Sequence, residues 1–261
     1  MATIVEMINP LTGLPEQVDK LDHTAQEIDD AVDLAPQLSN PNFLDNWYFG
    51  NPVNQRGQTS YADAGYGIDR WYKYYGVLKI QNDIIELSGA SGGGTLEQKV
   101  ENPKRFAGKM VTLSVLGKRS KASWYITVRQ DNVYGNINLM IPNSFACASV
   151  TFVADSTLSN ELAIVFACWD ESDAAEIEAA KLELGTQQTL AHQDENGNWV
   201  LNEIPDYGEQ LARCQRYFQT FATESLRPTN ALDFRPVMRA TPALSTITVG
   251  GKTLYTASAD L

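Results

Sequence analysis

Met110-Val111-Thr112-Leu113-Ser114-Val115-Leu116 decides the fold class. Its apolar residues recur at every second position, which sets Val111, Leu113 and Val115 on one face of an extended chain and Thr112 and Ser114 on the other. A half-buried strand requires that pattern. Working outward in both directions, runs of the same texture follow at Phe43–Phe49, Ile68–Tyr75, Val77–Gln81, Ile84–Ser88, Thr95–Val100, Trp124–Gln130, Ile137–Ile141, Ser149–Val153, Leu162–Trp169 and Ala179–Leu184. Turn formers separate them at Gln81-Asn82-Asp83, Gly92-Gly93-Gly94, Gly117-Lys118, Gln130-Asp131-Asn132 and Pro142-Asn143-Ser144. Many short strands with no helical pattern between them predict a mainly β protein, a jelly-roll β-sandwich over residues 41–186.

The flanks differ in texture. Leu14, Val18, Leu21, Ala25, Ile28, Val32 and Ala35 follow a heptad seam, with Asp22, Glu27, Asp29 and Asp30 off it. Pro15 fits a first helical turn and Pro36 ends the pattern, so residues 1–40 read as an attachment segment with a coiled-coil helix about 30 Å long. Alone, so short a helix is marginal in water; burial against identical copies is the expected remedy. Past Gly185, residues 187–261 read as a small helix-plus-hairpin module. It has a turn at Asp194–Asn198, a helix from about Tyr207 to Phe221 on the spacing of Tyr207, Leu211, Cys214 and Phe218, and a hairpin over Thr246–Tyr255.

Composition excludes several functions. The net charge of -12 opposes a protein that neutralises nucleic-acid phosphates or docks on anionic lipid. Three cysteines, Cys147, Cys168 and Cys214, and two histidines, His23 and His192, offer no zinc-ligand spacing. The apolar settings of Cys147 and Cys168 suit buried free thiols, and a disulfide between them stays open because it turns on their separation. No Ser-His-Asp or Cys-His arrangement suggests itself, so no enzyme and no cofactor is expected. Asp170-Glu171-Ser172-Asp173 reads as a solvated loop; its spacing matches no EF-hand, and no metal is expected. The start has no basic segment followed by an apolar one, so no signal peptide is read there.

Two separated blocks carry a family resemblance. The first comprises Asn42-Phe43-Leu44-Asp45-Asn46-Trp47-Tyr48-Phe49, Pro52-Val53-Asn54-Gln55-Arg56-Gly57 and Gly65-Tyr66-Gly67-Ile68-Asp69-Arg70-Trp71. The second is Leu211-Ala212-Arg213-Cys214-Gln215-Arg216-Tyr217-Phe218, with Ala180–Gly185 between and Met238-Arg239-Ala240-Thr241-Pro242 downstream. Together they resemble the carbohydrate-binding-like jelly-roll domain of tail fibres and receptor-binding proteins of bacteriophages and prophages. The resemblance implies a virion tail protein made in the host bacterial cytoplasm. It also implies a homo-oligomer, a trimer, partnered by other tail or baseplate proteins and by a host surface polysaccharide. The competing expectations are a purely structural fibre, collar or baseplate component, and a carbohydrate-binding module of a secreted glycan-degrading system.

If a glycan binds, exposed aromatics should stack on its C–H faces. Strand alternation points Trp71 and Tyr75 inward and Tyr72 and Tyr74 outward. Tyr72, Tyr74 and Tyr134 are therefore the glycan-binding candidates, and Trp71 a core residue. Asn54, Gln55, Arg56, Asp69 and Arg70 read as loop organisers, since an arginine fork can tie carbonyls and a carboxylate together.

Overall fold

The computed structural model describes residues 4–8, 15–19 and 39–260, apart from 91–92, 122–123, 132, 172 and 229, with only the backbone at 4–8, 15–19 and 134–136. Two compact units divide the chain, Met1–Leu38 and Ser39–Leu261. In the first, β1 (Ile4–Ile8) pairs antiparallel with β2 (Pro15–Asp19), Val5 opposite Val18. Val18, expected on a helical seam, thus lies in a strand. A hairpin pairs backbone N–H groups that a first helical turn leaves open. The other seam positions, Leu14, Leu21, Ala25, Ile28, Val32 and Ala35, lie outside the described residues.

The second unit opens with three two-residue strands, β3 (Ser60–Tyr61), β4 (Gly65–Tyr66) and β5 (Tyr72–Lys73). Longer ones follow: β6 (Val77–Gln81), β7 (Ile84–Ser88), β8 (Gly94–Lys99), β9 (Met110–Arg119) and β10 (Tyr125–Gln130). The series closes with β11 (Val133–Met140), β12 (Ala146–Val153), β13 (Leu162–Cys168) and β14 (Ala174–Leu184). Their pairing is nested: β7 with β14, β8 with β13, β9 with β12 and β10 with β11, all antiparallel. Successive pairs alternate between two sheets, so a long hairpin is wound upon itself. That is a jelly roll. One sheet runs β12-β9-β14-β7-β6-β3 and the other β11-β10-β13-β8-β5-β4.

Val111, Leu113 and Val115 of β9 meet Ile126, Val128, Ile164 and Phe166 in the core between the sheets, all seven fully buried. Trp71 is buried too, its ring 5.4 Å from Phe49 and 5.7 Å from Phe166, and its Nε1 donates to the Asn46 carbonyl at 3.0 Å. The other face of β9 is not solvated, contrary to the alternation: Thr112 and Ser114 are buried. Residues past Gly185 roof that sheet. Beneath them Lys181 Nζ donates to the Thr189 carbonyl at 3.3 Å, and Glu183 accepts from the Thr189 N–H at 2.7 Å.

Two expected strands are mostly loop. Across 43–49 the chain touches β14 at isolated points, Phe43 N–H to Leu182 O at 2.9 Å and Phe49 N–H to Glu178 O at 2.7 Å, and Asn46 at φ 52° breaks the run between them. Over 68–75 only Tyr72–Lys73 pairs, because Arg70 (φ 73°) and Gly76 (φ 78°) bend the chain on either side. Tyr75, expected inward, is consequently exposed, and Lys73 takes the inward position, donating to the carbonyls of Ala62 and Gly76.

The remaining elements are a hairpin of β15 (Ala191–Gln193) and β16 (Trp199–Leu201), helix α1 (Tyr207–Gln215), and a sheet ordered β17 (Phe218–Phe221), β19 (Lys252–Ser258), β18 (Ala243–Val249). Asp206 caps α1, its carboxylate accepting from the Glu209 N–H at 2.9 Å. The helix stops short of the expected Phe221 because Phe218–Phe221 pair with Tyr255–Ser258 instead. The three cysteines are free thiols. Burial pushes the Cys147 thiol up to about 12 and that of Cys168 up to about 11, which keeps both protonated and unreactive.

Candidate functional site

The two sequence blocks that carry the resemblance meet in space. Asp45 accepts from Arg70 Nε at 2.9 Å with one oxygen and from Arg213 at 2.6 Å with the other. Arg70 also donates to the Lys99 carbonyl at 2.8 Å and lies 3.6 Å over the Tyr217 ring. Asp69 accepts from Arg56 at 2.7 Å and from Gln55 Nε2 at 2.8 Å, and the same Gln55 nitrogen reaches the Phe218 carbonyl at 2.7 Å. The second Arg56 nitrogen pairs with Asp260 at 3.1 Å. The Asn46 N–H donates to Gln210 Oε1 at 2.8 Å. These residues organise loops, and they also clamp α1, β17 and the end of β19 to the jelly roll. Burial outweighs both partners at Asp69 and pushes its carboxyl up to about 6.

Beside the clamp lies the outer face of the β11-β10-β13-β8-β5-β4 sheet. One cross-strand row on it runs Tyr66, Tyr72, Glu97, Val165, Thr127, Asn138 from β4 to β11. At its β4 end the rings of Tyr66 and Tyr72 meet edge-on at 5.1 Å, and those of Tyr72 and Tyr74 lie 4.5 Å apart. Tyr74 is 42% exposed. With Arg70, Glu97, Lys99 and Asp260 the three tyrosines line an open cleft of about 160 Å³.

The cleft has a rigid wall. Glu97 is held by both terminal nitrogens of Arg129 at 2.7 and 2.5 Å, and Arg129 Nε and Lys99 Nζ converge on Glu161 at 2.5 and 2.8 Å. Small residues, Ala163, Val165 and Ala167 of β13, form the floor beyond. On the far side Trp169 is 77% exposed, its Nε1 donating to the Tyr125 hydroxyl at 2.8 Å. Such a surface offers ring faces for apolar C–H groups and fixed charged groups for hydroxyls.

Two of the three candidate tyrosines, Tyr72 and Tyr74, thus sit together. Tyr134 is at the opposite edge, on β11, at the register position of Arg129; β5 and β11 are four strand spacings apart, about 19 Å. Sequence reasoning missed Tyr66, because a two-residue strand shows no alternation, and Asp260, which only the folding of the tail brings to the cleft. It also misread Asp173 as solvated: the side chain is buried and accepts from Ser120 Oγ and the Lys121 N–H, both at 2.8 Å. Among the described residues no cluster of His, Cys, Asp and Glu could hold a metal ion.

No family model and no curated protein matches the chain. Among solved structures it is similar to "Family 16 Carbohydrate Binding Module-2", at 16% identity and a TM-score of 0.32, over 44% of this chain and 85% of that one. It is also similar to the N-terminal cellulose-binding domain of Cellulomonas fimi β-1,4-glucanase C, at 15% identity and a TM-score of 0.36, over 50% and 97%. A third similar structure is the enzymatically active domain of bacteriophage CBA120 tailspike protein 4, at 12% identity and a TM-score of 0.36, over 55% of this chain and 21% of that one. At TM-scores this low the likenesses carry no weight for what the cleft binds; the jelly roll is read from its own strand pairing.

Proposed function

We propose that the protein is a bacteriophage or prophage tail appendage that attaches to the host by binding a surface glycan in the tyrosine cleft, without turning it over. The observation that carries this reading is the Tyr66–Tyr72–Tyr74 cluster opening beside the ion-paired Glu97 and Lys99. Oligomerisation through the remainder of the seam, Leu21–Ala35, as a trimer within the virion tail and in contact with other tail or baseplate proteins, belongs to the same proposal. So does the non-catalytic role: the carboxylates that line the cleft, Glu97 and Asp260, are tied to Arg129 and Arg56, which suits a fixed wall better than an acid/base pair poised to exchange protons.

Host-cell or glycan-array binding of the wild type and of Tyr74→Ala tests it, with melting temperature measured alongside. Removing one stacked, half-exposed ring should weaken binding by about 1–2 kcal/mol and leave melting unchanged. Polysaccharide incubated with the protein should release no reducing ends. Unchanged binding by both Tyr72→Ala and Tyr74→Ala would refute the site, and cleavage lost on substituting one carboxylate would refute the non-catalytic role. A structural fibre, collar or baseplate role draws support from Val133, Met140 and Trp169, all exposed near the β11 edge of the same sheet. That role expects no glycan bound at all.

A further inference from the structure

A second cleft, of about 170 Å³, lies on the other side of Tyr217 and collects three guanidinium groups, those of Arg105, Arg213 and Arg216. Arg105 comes from the one-turn helix Pro103–Phe106 ahead of β9, and the other two come from α1 and its C-cap. Two carboxylates face them. Asp45 is already taken twice, by Arg213 and by the buried Arg70. Glu101 accepts from Arg216 at 3.1 and 3.3 Å and from the Tyr217 hydroxyl at 3.0 Å.

Arg105 is left over. Among the described residues it makes no ion pair and no side-chain hydrogen bond; its guanidinium lies 4.4 Å from the Phe43 ring centre and 5.0 Å from that of Phe106. Stacking of this kind fixes the plane of the fork and leaves its N–H edges free for a planar or tetrahedral oxyanion. Partial burial lowers the pKa of Arg105 against the opposing pull of Glu101 and Asp45, neither of which forms an ion pair with it. A net charge of -12 repels anions at long range, so general solubility does not account for an unpaired cation held among two others.

We propose that this cleft binds an oxyanion, a carboxylate, sulfate or phosphate group, with Arg105 as the bidentate donor and Arg213 and Arg216 as flanking charges. Its volume falls below the roughly 300–1,000 Å³ of drug-sized sites, so it takes one charged unit. The same chemistry is offered by a free inorganic anion and by an acidic sugar.

Calorimetric titration of the full chain at low ionic strength, with inorganic phosphate, glucuronate and glucose as separate probes, tests this and tells the sources apart. Saturable binding of phosphate or glucuronate is expected, with none of glucose, and with affinity falling as sodium chloride rises. Tighter phosphate identifies a site for a free or esterified tetrahedral anion, and tighter glucuronate a site for an acidic sugar. Arg105→Gln should weaken either by about tenfold or more, the scale of a lost charge-assisted hydrogen-bond pair, while melting stays at the wild-type temperature. Should Arg105→Gln melt lower, Arg105→Lys is the second variant: it keeps the charge, loses the fork, and should still bind more weakly than wild type. The proposal is overturned if neither anion binds saturably, or if binding survives both substitutions unchanged. Tyr74→Ala should leave this titration intact even where glycan attachment fails, which separates the two sites.

Discussion

Replacing Arg70 with alanine should destabilise the second unit more than any exposed ion pair can. The Arg70 side chain is 1% exposed and gives up three interactions at once: the ion pair with Asp45, the bond to the Lys99 carbonyl, and the face of Tyr217. Asp45 would keep only Arg213, whose side chain is 41% exposed. Removing one partner of a buried pair costs about 3–5 kcal/mol, since the other charge is left desolvated, here matched only by the more exposed Arg213. For a unit of this size each kcal/mol lowers melting by about 2–4 °C, so a fall of about 6–20 °C is expected by calorimetry at pH 7. Hydrogen exchange should show α1 and β17 opening first, because Arg70 joins them to the jelly roll. Arg70→Lys, which keeps charge but not the planar fork, should recover only part of the loss. The exposed pair Lys79–Glu86, 2.9 Å apart, serves as a control, and Lys79→Ala should cost no more than about 1 kcal/mol. A loss at Arg70 as small as that at Lys79, or one that leaves exchange in α1 and β17 unchanged, would refute the clamp.

Asp69 gives the fold a pH dependence of defined sign. Its folded pKa of about 6 lies above the ordinary 3.8, so between those values the folded chain binds more protons than the unfolded one. Stability from this group is greatest below the unfolded pKa and is lost as pH rises through about 6; melting should therefore fall from pH 5 to pH 7 in the wild type and fall less in Asp69→Asn. Asp206→Ala removes the α1 cap and should cost about 1 kcal/mol, read from the denaturation midpoint. For the seam, Ile28→Asp should dissociate the oligomer in light scattering, and a wild type already monomeric at micromolar concentration would refute assembly through it.

Local signals determined the parts of the structure that need only their own neighbours. Val77–Gln81 and Ile84–Ser88 were legible to the residue, because period-two alternation meets at Asn82-Asp83, both at positive φ in a two-residue turn. Trp71 was legible as core because a tryptophan side chain is usually buried, although it lies just before β5 and not in a strand. Alternation also turned Tyr72 and Tyr74 outward. What tertiary structure alone decided is everything that depends on a distant partner. Phe218–Phe221 has helical spacing yet becomes a strand, because β19 supplies backbone partners that a lone helical turn lacks. Thr112 and Ser114 look solvent-facing and are buried, because the segment beyond Gly185 folds back over them. Tyr66 joins the cleft through pairing with Tyr72, and Arg105 meets Arg213 across more than a hundred residues of chain. Hydrophobic periodicity is written into consecutive residues, whereas a charge is matched, or left over, only by what folding brings within reach of it.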